Sequence, residues 1–224
     1  MRFLLFEALS GQDAEFAAVE EAIPYVGLQQ YAHPLLPEHG RLIQTHETFC
    51  GPNRKLIYMV RDPRRVVVSQ FHHYVRRKDQ VIPQNFDDFF DKWLTGEAVP
   101  FGRWDRHVNY WMTVPEARGA RTCLVRFEDL QKDTNATLRR VLEFLGCIIG
   151  AETAAIIVAN NSMEKMQAKE DAHFKKWRSG SGDKRFVGSA RTANWKETLS
   201  DRQERLLVAK FHDTMIRSGY GTSR

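Results

Sequence analysis

"KLIYMVRDPRRVVVSQFHHY", Lys55 to Tyr74, decides how the rest of the chain is read. Leu56 to Val60 is apolar without alternation, the pattern of a strand covered on both faces. It stops at Arg61. Asp62 is a good helix cap and Pro63 a good first helical residue. The stretch therefore reads as a strand running straight into the N-terminus of a helix over 63–78. Ligands of open α/β sheets lie beyond the carboxyl ends of the strands. Amides and dipole at the helix start favour an anion there. Arg61 adds a two-pronged donor suited to phosphate, and Ser69, eight residues on, offers a hydroxyl to the same group. Between Arg54 and Lys78 there are eight Lys or Arg and one acid, so the surrounding field is positive. On this segment alone an ordinary ion pair for Arg61 and a surface role for Ser69 stand equally open.

Working outward, "RLIQTH" (41–46) and "TCLVRF" (122–127) are further strand candidates, and "AHPLLPEHG" (32–40) reads as a loop. Residues 3–9 suit a buried helix, and Asp13 to Ile23 a second helix capped by Asp13. Helical patterns also cover 86–94, 103–112, 134–145, 151–159 and 200–217. Strands alternating with helices predict an α/β fold, a parallel sheet flanked by helices. The basic, Gly- and Ser-rich stretch from Phe174 to Thr192 reads as a long functional loop.

The chain has 224 residues, 42% apolar and 27% charged, which suits a single domain over 1–224. Its formal net charge of +5 suits an anionic partner. Cys50, Cys123 and Cys147 form no zinc or disulfide pattern, so a reducing, cytoplasmic setting is expected. The apolar run Phe3 to Phe6 is too short for a signal peptide. No run approaches the roughly 18 apolar residues of a membrane span.

Four blocks, "RLIQTHETF", "LIYMVRDPRRVVVSQFHHY", "GRWDRHVNYW" and "VRFEDLQKDTNATLRRVLEFLG", occur in this order. With them the chain resembles the soluble sulfotransferases that use 3′-phosphoadenosine 5′-phosphosulfate (PAPS). The resemblance implies a P-loop-NTPase-like sulfotransferase fold and sulfuryl transfer from PAPS to the hydroxyl or amine of a small acceptor. The product would be 3′-phosphoadenosine 5′-phosphate (PAP). It implies that Arg61 and Ser69 hold the 3′-phosphate and that His46 takes the acceptor's proton. Phe127 would stack beside the adenine without the hydroxyl of the family's Tyr, and Asn161 and Met163 would flank it. A packed helix face is the competing reading of Asn161 and Met163. Trp104, His107 and Trp111 read mainly as packing residues, one of them a candidate for the acceptor pocket. The transfer calls for no metal, and no metal-ligand pattern is visible.

Three departures from the family stand out. Gln44 occupies the slot of a Lys that helps neutralise the sulfuryl group. The late Arg-Lys-Gly loop is replaced by Gly188-Ser189-Ala190, with Arg191 or Arg185 left to carry the charge. Between Lys165 and Lys196 nine Lys or Arg face three acids, which suits phosphate in kind. The "PKSGTTW"-type loop that holds the 5′-phosphosulfate, with the strand before it, is not in the sequence. The expectation is therefore a domain lacking its first strand, with that segment encoded upstream of Met1 and the 224-residue chain poorly soluble and inactive alone. The alternative is a non-catalytic remnant that binds a nucleotide or a protein partner through its basic face. A P-loop kinase is disfavoured, since no Walker A sequence is present, and a nucleic-acid binder has no motif behind it. Neither the oligomeric state nor the acceptor has a readable signature.

Overall fold

The computed structural model describes residues 1–26, 31–48, 55–76, 85–117, 119–174 and 194–221. The chain forms two compact units, each built from two stretches.

One unit comprises Glu47–Phe127 and Ala190–Arg224. Its centre is a pair of parallel strands, β3 (Lys55–Val60) and β4 (Arg121–Arg126), in register from Lys55 opposite Arg121 to Val60 opposite Arg126. Helices α3 (Pro63–Arg76), α4 (Phe86–Thr95), α5 (Trp104–Ala117), α10 (Trp195–Thr198) and α11 (Asp201–Arg217) surround it. α4 is bounded by local chemistry. The Asn85 side chain accepts from Asp88 N, and Gly96 ends the helix in the left-handed region. Its Phe89, Phe90 and Trp93 are all but fully buried, together with Val67 and Val68 of α3 and Phe211 of α11. Burying each such side chain is worth about 1.5–3 kcal/mol. The indole Nε1 of Trp93 donates to the Gln70 side chain, so the ring is buried with its polar atom satisfied. α11 starts with a capping box in which Ser200 and Gln203 satisfy each other's backbone amides.

The other unit comprises Met1–His46 and Glu128–Ser189. It holds α1 (Arg2–Ser10), α2 (Phe16–Ala22), a small antiparallel pair β1 (Pro34–Leu36) and β2 (Gly40–Arg41), α7 (Thr134–Leu145), α8 (Ala151–Asn160) and α9 (Met163–Phe174). α6 (Phe127–Lys132) carries the chain between the units. α1 packs against α2, α7 and α8. Leu4, Leu5 and Phe6 are buried, and so are Leu138, Val141 and Leu142 of α7.

The α/β class and the parallel pairing agree with the sequence reading; several boundaries do not. "RLIQTH" is not a strand. Only Arg41 joins β2, and Gln44 makes a single parallel bridge to Tyr25. α2 begins at Phe16, and its cap position is Glu15, not Asp13. "AHPLLPEHG" contains β1 and a turn of 3-10 helix at Pro37–His39. β3 is less covered than its composition suggested, since Met59 is 37% exposed while Val60 is buried. Phe127 is the first residue of α6 rather than the last of β4.

Candidate functional site

The junction after β3 is built as the sequence implied. Asp62 Oδ1 accepts from Arg64 N at 2.9 Å, and Asp62 O accepts from Arg65 N and Val66 N. Asp62 is 6% exposed and also receives the Arg64 guanidinium, Nε on Oδ1 at 3.0 Å and Nη2 on Oδ2 at 2.7 Å. Arg64 reaches Glu204 Oε1 at 3.1 Å and lies over the Trp195 ring at 4.5 Å. Burial works against its charge, but Asp62 and Glu204 outweigh it and hold the guanidinium above its ordinary range. The first basic residue of α3 is thus fully engaged in fixing the helix start.

Arg61 lies immediately past the carboxyl end of β3, one residue before the Asp62 cap of that helix. Its Cζ lies 4.8 Å from the centroid of the Phe127 ring. Phe127 stands in the equivalent place after β4. Parallel, in-register strands of equal length put Arg61 and Phe127 side by side, one strand apart. A guanidinium against an aromatic face is held in direction. Ser69 is half-buried on α3, two turns into the helix. Behind this corner Tyr58 Oη and His107 Nδ1 are 3.0 Å apart, and Trp104 and Trp111 are buried. Burial pushes the Tyr58 phenol well above its ordinary range.

In the other unit His46 is exposed, its ring 5.5 Å from that of Tyr25. The segment before it is held by main-chain bonds, Gln44 N to Pro24 O at 2.9 Å and Val26 N to Gln44 O at 2.8 Å. Gln44 Oε1 accepts from Arg2 Nη1 at 2.7 Å. A cation thus stands beside Gln44, two residues before His46. Sequence reading did not find it, although Arg2 is the only Lys or Arg before Arg41.

Asn161 caps α8 and Met163, half-buried, opens α9. Asn161 Nδ2 donates to Glu7 Oε2 at 2.7 Å and to Ile157 O at 2.9 Å. Asn160 Nδ2 donates to Glu7 Oε1 at 2.7 Å. Glu7, 8% exposed, is thereby held by two amides, a pairing that no sequence pattern pointed to. Asn161 Oδ1 is buried without a partner among the described residues. Ser189 and Arg191 lie outside the described residues, as does the rest of the Gly- and Ser-rich loop.

The sulfotransferase domain family model matches residues 17–219. The chain belongs to that family. It is 27% identical over 157 residues to sulfotransferase 2A1 of Homo sapiens, covering 70% of this chain and 54% of the relative. It is 27% identical over 185 residues to sulfotransferase 1A1 of Bos taurus, covering 78% and 62%. Among solved structures, a crystal structure of retinol dehydratase in a complex with retinol and PAP superposes with a TM-score of 0.70 at 17% identity, covering 96% of this chain and 76% of that one. The fold is thus the sulfotransferase fold. The chain spans less than two thirds of the curated relatives named here. No helix among the described residues is long and apolar enough to cross a membrane.

Proposed function

We propose that this chain carries the 3′-phosphate clamp and the general base of a PAPS-dependent sulfotransferase. The observation that carries the reading is Arg61, set between the end of β3 and the capped start of α3 and lying against Phe127. That corner offers an anion the Arg61 cation and the positive end of the α3 dipole, next to an aromatic ring. Arg61 and Ser69 hold the 3′-phosphate and Phe127 borders the adenine. Asn161 has its amide nitrogen committed to Glu7, which leaves its carbonyl oxygen as the group that suits the exocyclic amine of adenine. Met163, next to it, supplies apolar cover. Ser189 and Arg191 belong to the phosphate loop in this reading. The relative solved with PAP fits the same donor class.

The acceptor's oxygen or nitrogen attacks the sulfur in line. The bond from sulfur to the bridging phosphate oxygen breaks as the new bond forms, and its electron pair leaves on PAP. His46 takes the acceptor's proton. Such a base is worth about 10²–10⁴ in rate. Arg2, delivered to Gln44, supplies positive charge two residues from the base. The acceptor is a small molecule with a hydroxyl or amine, and the free thiols of Cys123 and Cys147 suit a cytoplasmic setting.

The test is a calorimetric titration with PAP, followed by transfer of labelled sulfuryl groups from PAPS to a panel of phenols, alcohols and amines. Saturable PAP binding with transfer supports the reading. PAP binding without transfer to any acceptor favours the non-catalytic nucleotide-binding reading, and no binding overturns both.

A further inference from the structure

The turn that ends α11 is tied to both strand ends next to the Arg61–Phe127 pair. Tyr220 Oη donates to Val60 O at 3.1 Å, and Val60 directly precedes Arg61. Arg126 Nη1 donates to Gly219 O at 2.8 Å, and Arg126 directly precedes Phe127. Gly219 and Tyr220 are themselves consecutive. One dipeptide step therefore grips the last residue of β3 and the last residue of β4.

The step is rigid. Tyr220 N donates to Met215 O at 2.7 Å and Gly219 N to Ile216 O at 3.0 Å, the paired bonds of a Schellman ending. Gly219 has φ +81°, and a Cβ there would stand 2.9 Å from Arg126 Nη1. Glycine is required both for the backbone conformation and for the approach of Arg126. The ring of Tyr220 is 9% exposed and packs in the aromatic core of this unit.

The peptide group is planar, so a hydrogen bond to Val60 O fixes the orientation of the Val60–Arg61 plane and hence the direction in which Arg61 leaves the strand. Two-pronged recognition of phosphate tolerates errors of only about 0.5 Å. We infer that Gly219-Tyr220 is a positioning element for Arg61 and Phe127, setting selectivity for a 3′-phosphorylated nucleotide. The inference rests on the phosphate-clamp reading above.

The experiment compares PAP with adenosine 5′-phosphate, which lacks the 3′-phosphate, in the parent chain, Tyr220→Phe, Gly219→Ala and Arg61→Ala, with a melting curve for each. Tyr220→Phe keeps the ring and removes only the hydroxyl. The expected result is a rise in the Kd for PAP of roughly tenfold, the size of one hydrogen bond, with little change for adenosine 5′-phosphate. Gly219→Ala gives the same loss of preference through Arg126. A purely structural role would weaken both nucleotides equally or neither, and either outcome overturns the inference whatever the melting curves show. If Arg61→Ala abolishes the preference for PAP while Tyr220→Phe and Gly219→Ala keep it, only the positioning role falls. If Arg61→Ala keeps the preference, or the parent does not bind PAP, the clamp reading falls and takes this inference with it.

Discussion

Arg61 and Phe127 lie one strand apart at the carboxyl ends of β3 and β4, the guanidinium carbon 4.8 Å from the ring centroid. The ring face holds the direction of the guanidinium. Arg61→Ala is expected to weaken PAP binding by about 2 kcal/mol, the worth of charge-assisted hydrogen bonds to a phosphate. Phe127→Leu, which keeps bulk and removes the aromatic face, is expected to lose about 1 kcal/mol. Calorimetry measures both, and unchanged PAP affinity in Arg61→Ala rejects the clamp.

His46 acts on the acceptor and not on the nucleotide in the proposed reaction. His46→Ala therefore keeps PAP affinity and lowers turnover by roughly 10²-fold or more. Near-parental turnover in a steady-state assay would show that another group takes the proton.

The Tyr58 phenol is buried and its pKa is raised, so the folded state favours the neutral form. Its contribution is complete below about pH 10, where the unfolded phenol is still protonated, and is lost progressively above it. Tyr58→Phe removes the bond to His107 and is expected to cost about 0.5–1.5 kcal/mol at neutral pH. Above about pH 10 only the parent loses stability with this group, so the gap narrows. Urea unfolding at neutral and alkaline pH checks this, and a gap independent of pH counts against a buried neutral phenol.

Glu7 receives Asn160 and Asn161 through amide nitrogens at 2.7 Å. Glu7→Gln turns one carboxylate oxygen into a donor facing a donor. The expected loss is about 1.5–3 kcal/mol in urea unfolding. A change within experimental scatter would mean that α1 is not held to the end of α8 by this group.

What was legible in the sequence was local. Asp62-Pro63 announced the start of α3 because a cap and its helix are neighbours in the chain, and the helix carries Val67, Val68, Phe71 and Tyr74 at helical spacing. The apolar runs of β3 and β4 named their own pairing class through the helices between them. What was illegible depended on distant partners. Gln44 looked like part of a strand, yet its backbone bonds go to Pro24 and Val26, which leaves one bridge and no ladder. Glu7 and Asn161 meet across most of the chain, and nothing in either neighbourhood marks the other. The bond from Arg126 to the Gly219 carbonyl, between residues far apart in the chain, left no mark in either neighbourhood. Of the eight residues expected at the site, six lie among the described residues, and of these the structure brings Arg61 and Phe127 into contact.

Because each unit is assembled from two separated stretches, neither can be finished in the order in which the ribosome makes it. The aromatic core around Phe89 and Trp93 receives Leu207, Phe211 and Met215 only from α11. During synthesis these large apolar faces stay uncovered while roughly a hundred further residues emerge, several seconds at about 5–20 residues per second. Nascent chains stalled before Asp201 are therefore expected to be protease-sensitive throughout β3–α5, and to gain protection in one step once α11 has cleared the exit tunnel.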